Sequence, residues 1–264
     1  MAASKIKTID YNLVESGLLF AKDSTRLWDN PKVQICTNIN LQHQEWIQPK
    51  TINEICRQKV SFLSNNTKIY IGKQTPKVSK IIEKILKKNP SEKIYSSSWS
   101  IKKIKSKYYY KDNKNVIPIN SKYIYSSGLL NNLGLAIKIA LDFNINKKTI
   151  LKTIPKIKFE GRINYIEKGK LRKLIHKNEK LLLDGCHSNS AAQNLVNYLR
   201  NIQGPIYGIW GMQKNKLPEK FIKNFKGIFK KIVTIKIPNE PNALSATELK
   251  KICNNSWFCF SFFL

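Results

Sequence analysis

Two rhythms of apolar and polar positions run along the chain. Short apolar or alternating runs at residues 32–36, 68–72, 93–95, 181–183, 206–210 and 232–235 predict strands. Between them, apolar residues recur at three and four positions over 51–63, 78–86, 130–141, 190–199, 218–229 and 245–252, which predicts helices. Pro218 and Ser245 are residue types that suit helix starts. Strands alternating with helices predict a largely parallel α/β sheet. No internal repeat or long linker interrupts the pattern. A boundary falls near residues 144–148, between the helix ending at Asp142 and a short helix over 149–154. That gives domains 1–145 and 146–264, the second opening on strands at 161–166 and 180–184.

Composition narrows the picture. At 264 residues, 42% apolar and 10% aromatic, the chain can bury a core and is not wholly disordered. No apolar run approaches the roughly 20 residues of a membrane span, and residues 257–264, apolar but for one serine, are too short. The first residues carry no secretory pattern, so the expectation is a cytoplasmic protein with no membrane partner. Five cysteines, at 36, 56, 186, 253 and 259, form no CxxC pair; they read as free, mostly buried thiols.

A net charge of +30 raises nucleic acid as a partner. Of the 47 basic residues only five are Arg, at 26, 57, 162, 172 and 200, and the remainder are Lys scattered through every segment. Base-edge and bidentate phosphate readers are Arg-rich. The lysines therefore read as decoration of solvated faces, and no nucleic-acid partner is expected.

Three segments carry candidate chemistry. Residues 37–47 follow a strand directly, which places His43 where open α/β sheets bind ligands; alone, such a His is more often a hydrogen-bonded loop residue. In Phe159-Glu160-Gly161-Arg162, the glycine permits close backbone approach and Arg162 offers a planar fork to phosphate. In Leu183-Asp184-Gly185-Cys186-His187-Ser188, a strand ends in an acid that can accept ribose hydroxyls, followed by a His and a helix start. A capped turn with a structural Asp is the alternative there.

In this order, Glu15-Ser16-Gly17-Leu18, Asp23-Ser24-Thr25, Thr37-Asn38-Ile39 with His43, Lys59, Asn132, Gly161-Arg162, Asp184-Gly185-Cys186-His187 and Gly211-Met212-Gln213-Lys214 resemble the folylpolyglutamate synthase and dihydrofolate synthase family, a branch of the Mur ligases. The resemblance runs from about Leu13 to about Leu249. It implies an incomplete Mur-ligase-type central domain with a mostly parallel sheet, then a Rossmann-like C-terminal α/β domain. It also implies an ATP-dependent amide ligase that adds L-glutamate to dihydropteroate or folate through an acyl phosphate, with ATP and Mg2+ as cofactors. By the same resemblance, Glu15 and His43 bind the metal, and Lys59 is a carbamylated lysine ordering that site. Asn132, Arg162 and Asp184 contact ATP, His187 lies at the nucleotide–glutamate side, and Asp23 lies near the pterin.

Departures from the family pattern set further expectations. No Gly-x-x-x-x-Gly-Lys-Ser/Thr phosphate loop occurs in the 264 residues. By the resemblance it would lie upstream of Met1, making the chain a monomer or a piece that needs a missing N-terminal segment. Glu15 should then sit on a central strand near the start of the chain. Leu19-Phe20-Ala21-Lys22 replaces a glycine pair and an Arg, Gln42 an acid, Gly128-Leu129 a His-Gln pair, and Ser188-Asn189 an Asn-Pro pair. Past Leu249 the family's last strand is expected to be lacking. The alternative is a catalytically inactive relative kept as a nucleotide-binding or interaction module.

Overall fold

The computed structural model describes residues 10–41, 46–121, 124, 126–256 and 261–262. It is a mixed α/β chain in two compact units. The first comprises Met1–Lys102, Tyr110–Val116 and Asn131–Ile145; the second comprises Lys103–Tyr109, Ile117–Leu130 and Asn146–Leu264.

In the first unit, β1 (Val33–Cys36), β2 (Lys68–Ile71) and β3 (Glu92–Tyr95) form a parallel sheet in that order, with Cys36 opposite Ile71 and Ile71 opposite Tyr95. Helices α1 (Ile52–Val60) and α2 (Pro76–Leu86) connect these strands. Thr51 and Thr75 cap them, each side chain accepting a backbone N–H three residues on, and Pro76 occupies the first turn of α2. Ile55, Cys56 and Val60 of α1 meet Val78, Ile82 and Leu86 of α2 over Ile69 and Ile71 of the central strand. Fully burying each such side chain stabilises the fold by about 1.5–3 kcal/mol.

Helix α3 (Ser127–Asp142) is longer than its predicted span. Its Asp142 accepts from the buried Tyr70 hydroxyl at 2.7 Å and from Lys138 Nζ at 2.7 Å. Burial is the first cause holding the Tyr70 phenol above its ordinary range. A Cβ on Gly134 of this helix would collide with the six-membered ring of Trp99. The glycine is therefore a packing requirement for that indole.

The strands β4 (Trp99–Ile104), β5 (Lys107–Asp112) and β6 (Val116–Ile119) form a sheet in chain order that periodicity did not predict. Two residues join β4 to β5, with Lys105 at φ 53, a connection only an antiparallel hairpin allows. The β5–β6 turn is held by Asp112, which accepts from the Lys114 and Asn115 N–H groups.

The second unit contains α4 (Lys147–Thr153), β7 (Asn164–Tyr165), α5 (Lys170–Lys173), β8 (Leu182–Leu183), α6 (Asn189–Leu199), β9 (Tyr207–Trp210), α7 (Pro218–Lys223), β10 (Lys231–Thr234), α8 (Ala246–Ser256) and β11 (Ser261–Phe262). β9, β10 and β11 pair in parallel with β10 central, and β7 pairs antiparallel with β8. Ala192, Val196 and Leu199 of α6 pack with Phe221, Ile222 and Leu249, and Trp210 stacks on Phe221 at 6.1 Å. Ser245 and Glu248 form a reciprocal capping box at the start of α8.

Several expectations are corrected. The helix expected over 218–229 stops at Lys223, where the Asn224 side chain donates to the Lys220 and Phe221 carbonyls and Gly227 turns at φ 75. The strand expected over 161–166 shrinks to two residues, because Gly161 at φ 68 and Ile163 at φ 46 break extended backbone. Glu15 lies on no strand; it is exposed on chain that joins no helix or sheet. Past Leu249, Ser261 and Phe262 form a two-residue strand that pairs in parallel with Ile232 and Val233. Cys36 and Cys56 are buried free thiols, Cys186 is a half-buried one and Cys253 is buried, whereas Cys259 lies outside the described residues. Among the described residues, no helix is long and apolar enough to cross a membrane.

Candidate functional site

Each unit carries one cluster of candidate residues. In the first unit, the cluster forms where Lys59, late on α1, reaches back to the segment ahead of β1. Lys59 Nζ donates to the Leu18 carbonyl at 2.9 Å. Asp23 ties the same segment into a turn: Oδ2 accepts from Gly17 N–H at 2.7 Å, and Oδ1 accepts from the Thr25 N–H and hydroxyl at 2.9 and 2.5 Å. Those bonds, the Thr25 hydroxyl first, hold the Asp23 carboxyl below its ordinary range, and Lys59 adds to the effect. Burial lowers the Lys59 amine, with Cys36 and Asp23 opposing it. Cys36 itself closes β1 and is buried, which pushes its thiol up to about 12 and leaves it unreactive at neutral pH.

The loop leaving β1 is fastened by Gln74. Its amide accepts from Ile39 N–H at 2.9 Å and donates to the Thr37 and Gly72 carbonyls at 2.8 and 3.1 Å. Asn38 returns a bond to the Lys73 carbonyl at 2.8 Å. The loops after β1 and β2 are thus stitched at the carboxyl ends of the strands, where α/β sheets hold ligands. His43 lies outside the described residues. Glu15 is exposed in this unit, and Asn132 is exposed on α3. Among the described residues, no three His, Cys, Asp or Glu side chains converge on a metal-sized site.

In the second unit, the Gly161–Ile163 turn meets the loop after β8. Gly185 N–H donates to the Gly161 carbonyl at 2.7 Å. Ile163 N–H donates to Asp184 Oδ2 at 2.7 Å, and Cys186 N–H to Asp184 Oδ1 at 2.8 Å. Arg162 is exposed, with Nη1 3.7 Å from where a Cβ on Gly185 would stand. His187 Nδ1 lies 2.9 Å from the Gly185 carbonyl. A carbonyl only accepts, so Nδ1 is the donor in this contact. Ser188 then caps α6 by accepting from Ala191 N–H at 3.3 Å. Burial, with Asp184 adding to it, drives the Cys186 thiol far up, so this cysteine is inert filler against the core.

The structure brings Asp23 near Lys59, Arg162 to Gly185, and Asp184 to the backbone of Ile163 beside Arg162. Pattern reading missed Gln74, and it named Thr25 only beside Asp23 and Cys36 only as a buried thiol. A Gln 35 residues from Ile39, bonding through its side chain to loop backbone, leaves no periodic signal; the Asp-x-Thr spacing of an Asx-type turn at 23–25 was available.

No protein-family model and no curated protein matches the sequence. Solved structures do. The chain superposes on folylpolyglutamate synthase from Thermotoga maritima with a TM-score of 0.73 at 19% identity, covering 94% of this chain and 57% of that one. The Escherichia coli FolC complex with DHPP and ADP gives 0.74 at 17%, covering 94% and 56%. Bifunctional folylpolyglutamate synthase/dihydrofolate synthase from Yersinia pestis, complexed with AMPPNP and Mn ion, gives 0.75 at 18%, with the same coverages of 94% and 56%. The chain thus spans little more than half the length of these proteins, and over nearly all of its own length it has the folylpolyglutamate synthase fold.

Proposed function

We propose that the chain is a major part of an ATP-dependent acid–amino-acid ligase of the folate type, joining L-glutamate to dihydropteroate or folate. The observation that carries this reading is the coincidence of a fold likeness over 94% of the chain with two hydrogen-bonded clusters. Those clusters hold Asp23, Lys59, Arg162, Asp184 and His187 of the residues that the sequence resemblance singles out. The bound ADP, AMPPNP, DHPP and Mn belong to the similar structures; ATP, Mg2+ and the pterin are proposed here for this chain.

In this reading the substrate carboxylate attacks the γ-phosphorus, ADP leaves, and the glutamate amine then displaces phosphate from the acyl carbon. Arg162 meets phosphate with its fork, and Asn132 and Asp184 attend the nucleotide. His187 takes the proton that the attacking amine must shed. Asp23 orders the segment beside the pterin. Lys59, its amine held below the ordinary range by burial, is the lysine that takes up carbon dioxide as a carbamate. The described residues form no three-ligand metal centre. Glu15 and His43 are the proposed protein contacts of a magnesium ion, which would neutralise charge on the phosphoryl oxygens.

The lack of a Gly-x-x-x-x-Gly-Lys-Ser/Thr loop in these 264 residues favours a second reading, an inactive relative that retains a nucleotide-binding or interaction role. An ATP turnover assay with dihydropteroate and glutamate separates them. The ligase reading predicts no turnover by the chain alone and recovery when a polypeptide bearing a phosphate loop is supplied. Failure of every such polypeptide to restore turnover to a folded chain favours the inactive relative.

A further inference from the structure

Ile163 is a β-branched residue at φ 46, a conformation such side chains adopt only under constraint. It sits one residue after Arg162, and its side chain is buried at 4% exposure in the core of the second unit. Cys186 packs its side chain against the same core. The N–H groups of these two residues converge on one carboxylate, at 2.7 Å on Asp184 Oδ2 and 2.8 Å on Oδ1. The Gly185-to-Gly161 bond at 2.7 Å closes the arrangement. Asp184 is therefore a staple: it satisfies two amides in part-buried bonds and holds a turn whose backbone would otherwise relax.

We infer that Asp184 is a positioning residue, which pins the Gly161–Ile163 turn to the loop after β8 and so aims the Arg162 guanidinium over Gly185 at a phosphate-bearing ligand. The inference rests on the nucleotide reading proposed above and changes the part Asp184 plays in it. Both carboxylate oxygens serve the chain's own backbone, so Asp184 contributes through Arg162 more than through direct contact with a ribose. Glycine adopts a positive φ without steric cost, whereas Ile163 does so only while held. Substituting glycine at 163 should make the turn independent of Asp184.

The test uses the full chain with Asp184→Asn, Arg162→Lys, their combination, and Asp184→Asn with Ile163→Gly. Amide hydrogen exchange at Ile163 reads the staple, the rate of Arg162 modification by phenylglyoxal reads the guanidinium, and titration with inorganic tripolyphosphate and with adenosine reads binding. Asp184→Asn should speed Ile163 exchange at least tenfold, change the Arg162 modification rate, and weaken tripolyphosphate about tenfold while sparing adenosine. In the Arg162→Lys background it should add less than about twofold, because the two residues act as one unit. Ile163→Gly should restore much of the lost tripolyphosphate affinity, and Arg162→Lys, which leaves the core and the staple in place, supplies the folded comparison if Asp184→Asn alone fails to fold. Unchanged Ile163 exchange, fully additive losses, loss of adenosine binding, or no rescue by Ile163→Gly would each overturn the inference. A folded parent chain that binds neither ligand overturns the nucleotide reading, and the exchange and modification rates then decide the staple by themselves.

Discussion

Lys59 Nζ donates to the Leu18 carbonyl at 2.9 Å, spanning 41 positions of sequence. This bond lays the segment carrying Gly17 and Asp23 against α1, and it fixes where the amine sits. Burial holds that amine below the ordinary lysine range. A lowered value enlarges the neutral, nucleophilic fraction at any pH below it. Competitive acetylation followed across pH should therefore show Lys59 titrating below the exposed lysines. Labelled bicarbonate should give a carbamate carbonyl signal in 13C NMR that Lys59→Arg abolishes.

Asp23 adds an acid-side prediction. Its folded carboxyl is held below the ordinary value, so its contribution is present above the unfolded value of about 3.9 and is lost as pH falls through the lower folded value. Asp23→Asn loses that dependence and cannot accept all three bonds. Urea titrations at pH 6 should show a cost of roughly 1 kcal/mol, shrinking towards pH 3.

Gln74 should tolerate no acidic substitute. Its Nε2 donates to the Thr37 and Gly72 carbonyls, and a glutamate would turn carboxylate oxygens on both. Gln74→Glu should cost roughly 1–3 kcal/mol in urea unfolding at neutral pH. The loss should ease as pH falls, since only the protonated acid can donate.

The legible part of the fold was what repeats. The parallel strands β1, β2, β9 and β10 and helices α1, α2 and α6 carry period-two or period-3.6 apolar patterns, and the structure shows each within a few residues of its expected span. The β4–β6 sheet escaped because Lys102, Lys103, Lys105 and Lys107 mask its alternation, and Pro118 argues against a strand. The 161–166 segment looked extended because its residue types favour strands; left-handed backbone at Ile163 follows from a side-chain staple 21 residues away, which no local window contains. Among the candidate residues, Arg162 and Asp184 stood out by type and place, a guanidinium after a glycine and an acid at a strand end. That Asp184 spends both oxygens on backbone amides was not, because hydrogen-bond partners are set by tertiary packing.

Gly134 reverses the usual helix rule. Replacing an interior helical glycine by alanine ordinarily stabilises by about 1 kcal/mol. Here the added methyl would enter the Trp99 indole, which is 6% exposed and stacked on Tyr110 at 6.4 Å. Gly134→Ala should destabilise by roughly 1–3 kcal/mol, seen as a lower urea midpoint at unchanged slope.

The central claim is that the second unit's cluster meets a nucleotide through Arg162. Isothermal titration of the folded chain with ATP and Mg2+ tests it most directly. The account predicts weak, saturable binding that Arg162→Ala removes, with the thermal unfolding of that variant unchanged. Absence of binding by the parent chain, or binding indifferent to Arg162→Ala, would contradict it.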